Sequence, residues 1–213
     1  MDQERISEYL HSLEPDPEPF LSDLREYAKE NDVPIVRRET ESFLKTVTEL
    51  MRPGEILEIG SAIGYSTIIL ARAGGNVTTI ENYEKRIPAA VSNIEKAGLS
   101  GRVHLIPEDA GPVLRRLSEE GRKYDLIFLD AAKGQYLVWL PDILHLMKNG
   151  SVLVADNVLQ DNTVMESRFT VARRDRTTHE RMREFLYQIK HLECLTSSIL
   201  PVGDGVAFCV YKG

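Results

Sequence analysis

Residues 57–66 read LEIGSAIGYS. The run EILEIG, residues 55–60, has strand character and stops at Gly60, and Tyr65 to Ala73 then reads as an apolar helix. Gly60 and Gly64 stand where the strand hands over to the helix. Glycine at such a place permits a tight turn and lets the backbone come close to a ligand. In an open parallel sheet, ligands bind at the carboxyl ends of the strands, and a first strand-to-helix turn lies there.

Outward from this turn the pattern alternates. NVTTIE (residues 76–81), RVHLI (102–106), YDLIFLD (124–130) and SVLVAD (151–156) read as strands. Residues 85–97, 113–120 and 136–147 read as the helices between them. Strands that are apolar throughout and alternate with helices predict an α/β fold, with a parallel sheet covered on both faces. A further helix is expected from Thr177, with Glu180 completing a capping box, to about His191. LTSSILPV and GVAFCVYK, joined through Gly203-Asp204-Gly205, then form a hairpin, so one strand runs antiparallel. Before the first strand, apolar residues at helical spacing mark three helices, separated by Pro15, Pro17 and Pro19 and by the extended link VPIV. The chain reads as one domain over residues 1–213, with a helical N-terminal part (1–52) and a Rossmann-like core (53–213).

Charged residues make up 28% and apolar residues 42% of 213 residues, as in globular proteins. No apolar run approaches a membrane span, so no membrane partner is expected. The acidic N-terminus does not resemble a signal peptide. Two cysteines, Cys194 and Cys209, lack metal-ligand spacing and suit a reducing, cytoplasmic setting. The net charge of −7 argues against nucleic acid as a partner. The charge is uneven, however: Met165 to Phe185 holds six arginines against four acids.

The turn narrows the ligand. Its G-x-x-x-G pattern lacks the third glycine of the dinucleotide fingerprint and the lysine of a P-loop. Glu81 ends the next strand about 20 residues on, where an acid can accept hydrogen bonds from ribose hydroxyls. A nucleoside without phosphates fits, and S-adenosylmethionine (SAM) is one. A glycine-bearing turn without a ligand is the alternative. Asp130 ends one core strand and Asp156-Asn157 the next. Two carboxylates and a carboxamide with no His or Cys nearby make a hard oxygen site, suited to Mg²⁺, Mn²⁺ or Ca²⁺ and not to zinc. Solvated strand-end acids would look the same. Glu58 fits either a hydrogen bond near the methionine end of such a cofactor or a contact to backbone N–H groups.

LEIGSAIGYS, IEN (80–82), FLDAAKGQY (128–136) and VADNVL (154–159), in this order, resemble the metal-dependent O-methyltransferases of the catechol and caffeoyl-coenzyme A type. VPI (33–35), DAAKGQY, DNVL and PVGDG (201–205) further resemble the bacterial tRNA 5-hydroxyuridine methyltransferases. The resemblance implies a class I SAM-methyltransferase fold with a seven-stranded, mostly parallel sheet, and a homodimer. It implies Val36, Gly60, Tyr65, Ser66, Glu81, Asp109, Ala110 and Asp130 around SAM, although Asp109 also fits a helix cap. It implies Asp130, Asp156 and Asn157 on Mg²⁺, and Lys133 beside the acceptor hydroxyl as its base. A cation near Lys133 should lower its pKa through like charge.

A chelating metal asks for two adjacent oxygens, which a catechol and 5-hydroxyuracil both offer. Arg168, Arg173, Arg174 and Arg176, with Arg37 and Arg38, are candidates to hold tRNA phosphates around the anticodon loop. A solvated loop paired with Glu166, Asp175 and Glu180 is the plain alternative. Tyr136 and Trp139 fit either the acceptor ring or helix packing. The expectation is SAM- and Mg²⁺-dependent formation of 5-methoxyuridine at the tRNA wobble position. A small-molecule catechol-type methyltransferase is the alternative, and a non-catalytic nucleoside- or RNA-binding module a second.

Overall fold

β1 (Glu55–Ile59) lies near the middle of a seven-stranded sheet of order β3-β2-β1-β4-β5-β7-β6 in a computed structural model that describes residues 3–16, 18–160 and 162–213. The other strands are β2 (Asn76–Ile80), β3 (Val103–Ile106), β4 (Tyr124–Leu129), β5 (Met147–Ala155), β6 (Leu195–Leu200) and β7 (Val206–Tyr211). β1 to β5 pair in parallel, and β7 runs antiparallel to both β5 and β6. The chain steps from β1 to β2 and β3, then returns to place β4 on the other side of β1. This reversal opens a crevice at the carboxyl ends of β1 and β4.

Three helices precede the sheet: α1 (Gln3–Leu13), α2 (Pro19–Glu30) and α3 (Arg38–Met51). α4 (Tyr65–Arg72), α5 (Ile87–Lys96), α6 (Ala110–Glu119) and α7 (Tyr136–His145) follow β1 to β4, and α8 (Arg176–His191) precedes the hairpin. Alternate strand residues feed two cores. Leu57, Ile59, Ile127, Leu129 and Leu153 pack with α6, α7 and α8. Ile56, Leu126, Phe128, Val152 and Val154 face the other way, toward α2, α3 and α4. Both faces are covered, which is why these strands read as unbroken apolar runs. Among the described residues, no helix is long and apolar enough to cross a membrane.

Register builds the site. Ile59 pairs with Ile80 on one side and with Leu129 on the other, and Leu129 pairs with Ala155. The next residue along each strand is Gly60, Glu81, Asp130 and Asp156, so these four stand in line on one rim.

Several expected element ends move. α6 starts at Ala110 because Asp109 caps it, accepting from Gly111 N at 3.0 Å. The Thr177/Glu180 capping box does not form: Asp175 is the N-cap and makes no side-chain cap bond. The opening glycines serve the backbone first. Gly60 has φ +99°, and a β carbon there would lie 2.1 Å from the Asp130 carbonyl oxygen. Gly64 has φ +84° at the N-cap of α4. A side chain at Gly60 would therefore push β1 off the end of β4, which carries Asp130.

Candidate active site

The rim opens into a cleft of about 800 Å³. Val36, Gly60, Tyr65, Ser66, Glu81, Asp109, Ala110, Asp130, Lys133, Asp156 and Asn157 all line it. Glu58 does not. It is fully buried inside the sheet, and its Oε2 accepts from Thr67 Oγ1 and, at 2.6 Å, from Thr79 Oγ1. Its partners are hydroxyls rather than the backbone N–H groups one reading expected. Its Oε1 is buried without a partner. Burial, with a smaller push from Asp130, raises its pKa to about 7, against the hydroxyl bonds that lower it.

Glu81 joins two loops. Its Oε2 accepts from Ala62 N and its Oε1 from Tyr83 N, both at 2.8 Å. Each oxygen keeps a lone pair for the cleft. Ser61, also on the wall, has a buried hydroxyl without a partner. Trp139 lines the cleft with Asp109 and Ala110, and its Nε1 lies 3.3 Å from where a β carbon on Gly111 would be. Tyr136 is buried and does not line the cleft. Its hydroxyl lies 3.0 Å from Leu129 O and 3.2 Å from Asp156 O, so it braces the ends of β4 and β5. Ring contact with an acceptor is thereby excluded for Tyr136.

Asp130 and Asp156 sit side by side at the β4 and β5 ends. Asp156 is fully buried, and its pKa is raised well above the carboxylate range by burial first and then by Asp130. Its Oδ1 accepts from Thr40 Oγ1 at 3.2 Å, while its Oδ2 has no partner. Asn157 follows with φ +55°, a left-handed conformation that asparagine tolerates better than most residues. Among the described residues no cluster of three His, Cys, Asp or Glu forms, so the candidate donor set is two carboxylates and one carboxamide. Like charge beside a bare buried oxygen is what a hard divalent cation would relieve, and this set fits one.

Lys133 lies in a short 3-10 turn, Lys133–Gln135. Its Nζ donates to Asp130 Oδ1 at 2.8 Å and to the Tyr136 hydroxyl at 3.1 Å. Burial works against the ammonium, but Tyr136 and Asp130 outweigh it and hold the pKa above the usual lysine value. The protein's own neighbours thus stabilise the charged form in the metal-free chain, and the lowering expected from a cation would act against them.

A second network beneath the cleft escaped the sequence. Arg25 Nη2 donates to Glu41 Oε2 (2.7 Å), Val36 O (3.2 Å) and Tyr65 Oη (3.1 Å), and Tyr65 Oη donates to Glu41 Oε2 (2.7 Å). It locks α2, α3 and α4 behind Val36 and Tyr65. Glu41 falls on the buried side of α3 only once that helix packs, so no local signal marked the network.

Of the arginine candidates, only Arg37 lines the cleft. Arg38 is exposed. Arg168 pairs with Glu180 at 2.6 Å and Arg174 with Asp175 at 3.4 Å. Arg176 donates to Val171 O at 3.2 Å and holds the loop's own backbone. Arg173 is exposed. The loop nevertheless leads into α8, which packs on the Lys133 turn: Arg181 Nη1 donates to Gly134 O at 3.0 Å, and Thr178 Oγ1 is 3.3 Å from where a Gly134 β carbon would be.

A model of the O-methyltransferase family matches residues 11–212. The chain belongs to the O-methyltransferase family. It is 38% identical over 132 residues to a catechol O-methyltransferase of Niastella koreensis, a match spanning 60% of each chain. It is 30% identical over 210 residues to caffeoyl-CoA O-methyltransferase 1 of Nicotiana tabacum, covering 91% of this chain and 84% of that one. Among solved structures, an O-methyltransferase from Bacillus cereus in complex with SAH superposes with a TM-score of 0.86 at 28% identity, covering 98% of this chain and 97% of that one. The O-methyltransferase TomG of Streptomyces achromogenes, in complex with SAM, gives 0.86 at 27% identity over the whole of both chains. Family and neighbours together make this methyltransferase SAM-dependent.

Proposed function

We propose that this methyltransferase converts 5-hydroxyuridine to 5-methoxyuridine at the tRNA wobble position, with Mg²⁺ held by Asp130, Asp156 and Asn157. The observation that carries the tRNA reading is the placement of the arginine-rich loop, which runs into α8 where that helix packs against the Lys133 turn. Arg173 and Arg174 are exposed there. Phe169 in the same loop is 84% exposed and offers a face on which a base could stack. The narrower sequence blocks VPI, DAAKGQY, DNVL and PVGDG support the same reading.

In this scheme Glu81 accepts from the ribose hydroxyls, and Asp109 and Ala110 border the adenine. The unpartnered Ser61 Oγ provides a buried polar atom on the cleft wall. SAM held between these residues would supply a sulfonium methyl group to the acceptor oxygen, with SAH as the leaving group. A bound divalent cation supplies Lewis-acid polarisation of the acceptor and a like charge that disfavours the Lys133 ammonium. Lys133 Nζ removes the proton of the acceptor hydroxyl. The negative oxygen and the sulfonium cancel each other's charge, so the chain's main work is placement and exclusion of water.

The small-molecule reading rests on the catechol and caffeoyl-CoA relatives and uses the same chelation, since both acceptors carry adjacent oxygens. One comparison separates the two. Replacing Arg173 and Arg174 together with alanine is expected to lower kcat/KM on tRNA roughly 10-fold and to flatten its salt dependence by about two contacts. Turnover of a free catechol should stay unchanged. Arg176 is left intact because it holds the loop backbone. Equal loss on both substrates, or no loss on tRNA, contradicts the RNA reading.

A further inference from the structure

We infer that Thr40 is a positioning residue for the cation site: its hydroxyl fixes one oxygen of Asp156 so that the other is presented bare. The inference rests on the proposed cation site and assigns a role to a residue outside its donor set.

Thr40 lies in the first turn of α3 and is fully buried. Its Oγ1 donates to Asp156 Oδ1 at 3.2 Å, across 116 residues of sequence. Asp156 Oδ2 is buried without a donor, and the residue lines the cleft. A carboxylate with both oxygens free would rotate about its last torsion, which is broad and two-fold. The Thr40 hydroxyl on one oxygen, alongside the Asn157 backbone N–H that also acts on this carboxylate, removes that freedom. Thr40 is itself confined. A β carbon on Gly203 would lie 2.8 Å from Thr40 Oγ1, and Gly203 has φ +55°. The turn carrying Gly203 also holds the chain just beyond Asp156: Val158 N donates to Gly205 O (2.9 Å) and Leu159 N to Asp204 O (3.1 Å). Arg37 Nη2 lies 3.7 Å from Asp204 Oδ2 and ties the same turn to the start of α3. Thr40 and Asp156 are thus fixed to one another through the β6–β7 turn as well as directly.

Groups that orient metal ligands typically change affinity 10–100-fold when removed. The test is Mn²⁺ titration of the full chain with SAH, with free Mn²⁺ read by electron paramagnetic resonance. Thr40→Val keeps the shape and deletes the hydroxyl; Thr40→Ser keeps the hydroxyl. The expected result is at least a ~10-fold rise in Kd for Mn²⁺ in Thr40→Val and a near-wild-type Kd in Thr40→Ser. SAH affinity without metal should match in all three. A purely structural Thr40 would lower the melting temperature and leave the Mn²⁺ Kd unmoved. A wild-type Kd in Thr40→Val, or an equal loss in Thr40→Ser, overturns the role of the hydroxyl alone. No saturable Mn²⁺ binding by the wild-type chain overturns the cation site and this inference together.

Discussion

Asp156→Asn is expected to cut metal-stimulated methyl transfer at least ~10³-fold, equivalent to about 4 kcal/mol of transition-state stabilisation. The substitution keeps the side chain's shape and its bond from Thr40 while removing the charge. Stability should move the other way. Burial and the neighbouring Asp130 raise the Asp156 pKa in the folded protein. The native state therefore binds a proton more readily than the unfolded chain between the ordinary carboxylate pKa and the raised one. The stability from this group is complete below the lower value and is lost as pH rises through the upper. The uncharged amide of the variant has no such loss, so the metal-free variant should melt higher than wild type at pH 8 and nearly equal to it at pH 4. A site built for function at the expense of stability behaves in this way. Wild-type turnover in Asp156→Asn with chelator present would defeat the metal role.

Lys133→Met is expected to lower kcat by about 10²- to 10⁴-fold, the range of a positioned general base. KM for the acceptor and Kd for SAH should change little. Lys133→Arg is the informative companion. It keeps a cation near Asp130 but cannot release a proton at working pH. Loss of activity in both variants assigns Lys133 to proton removal, and recovery in Lys133→Arg would show that only its charge matters. In the folded chain Nζ rests on Asp130 Oδ1 and the Tyr136 hydroxyl, so Lys133 is held in its charged form until Asp130 is engaged elsewhere. That competition also makes Mn²⁺ binding tighter in Lys133→Met. Near-normal kcat in Lys133→Met would remove Lys133 from the chemistry.

Much of the rim was legible in the sequence because each strand announces its own end. Apolar runs stop at Gly60, Glu81, Asp130 and Asp156, and parallel register does the rest. Contacts made across the fold left no local trace. Thr40 reads as an ordinary helical threonine until α3 packs over β5, and Arg25 gives no sign that it will tie Glu41 to Tyr65. Tyr136 stayed open between an acceptor ring and helix packing because helical spacing does not show that its hydroxyl reaches two strand-end carbonyls. The Thr177/Glu180 box failed for a related reason. The helix begins two residues earlier than a Thr177 cap requires, with Asp175 at the N-cap and Arg176 turning back to Val171 O, and that places Thr177 inside the first turn. The arginines were visible as a cluster, and two of the acids the sequence offered as partners, Glu180 and Asp175, do pair with Arg168 and Arg174.

The central claim is that one rim gathers the methyl donor and a hard cation around a single acceptor oxygen. A crystal of the full chain grown with SAH and Mn²⁺ and measured at the manganese absorption edge tests it most directly. The account predicts one anomalous peak ligated by Asp130, Asp156 and Asn157, with the SAH sulfur facing it across the cleft and the ribose on Glu81. A peak held by other residues, or SAH lying away from this rim, would contradict it.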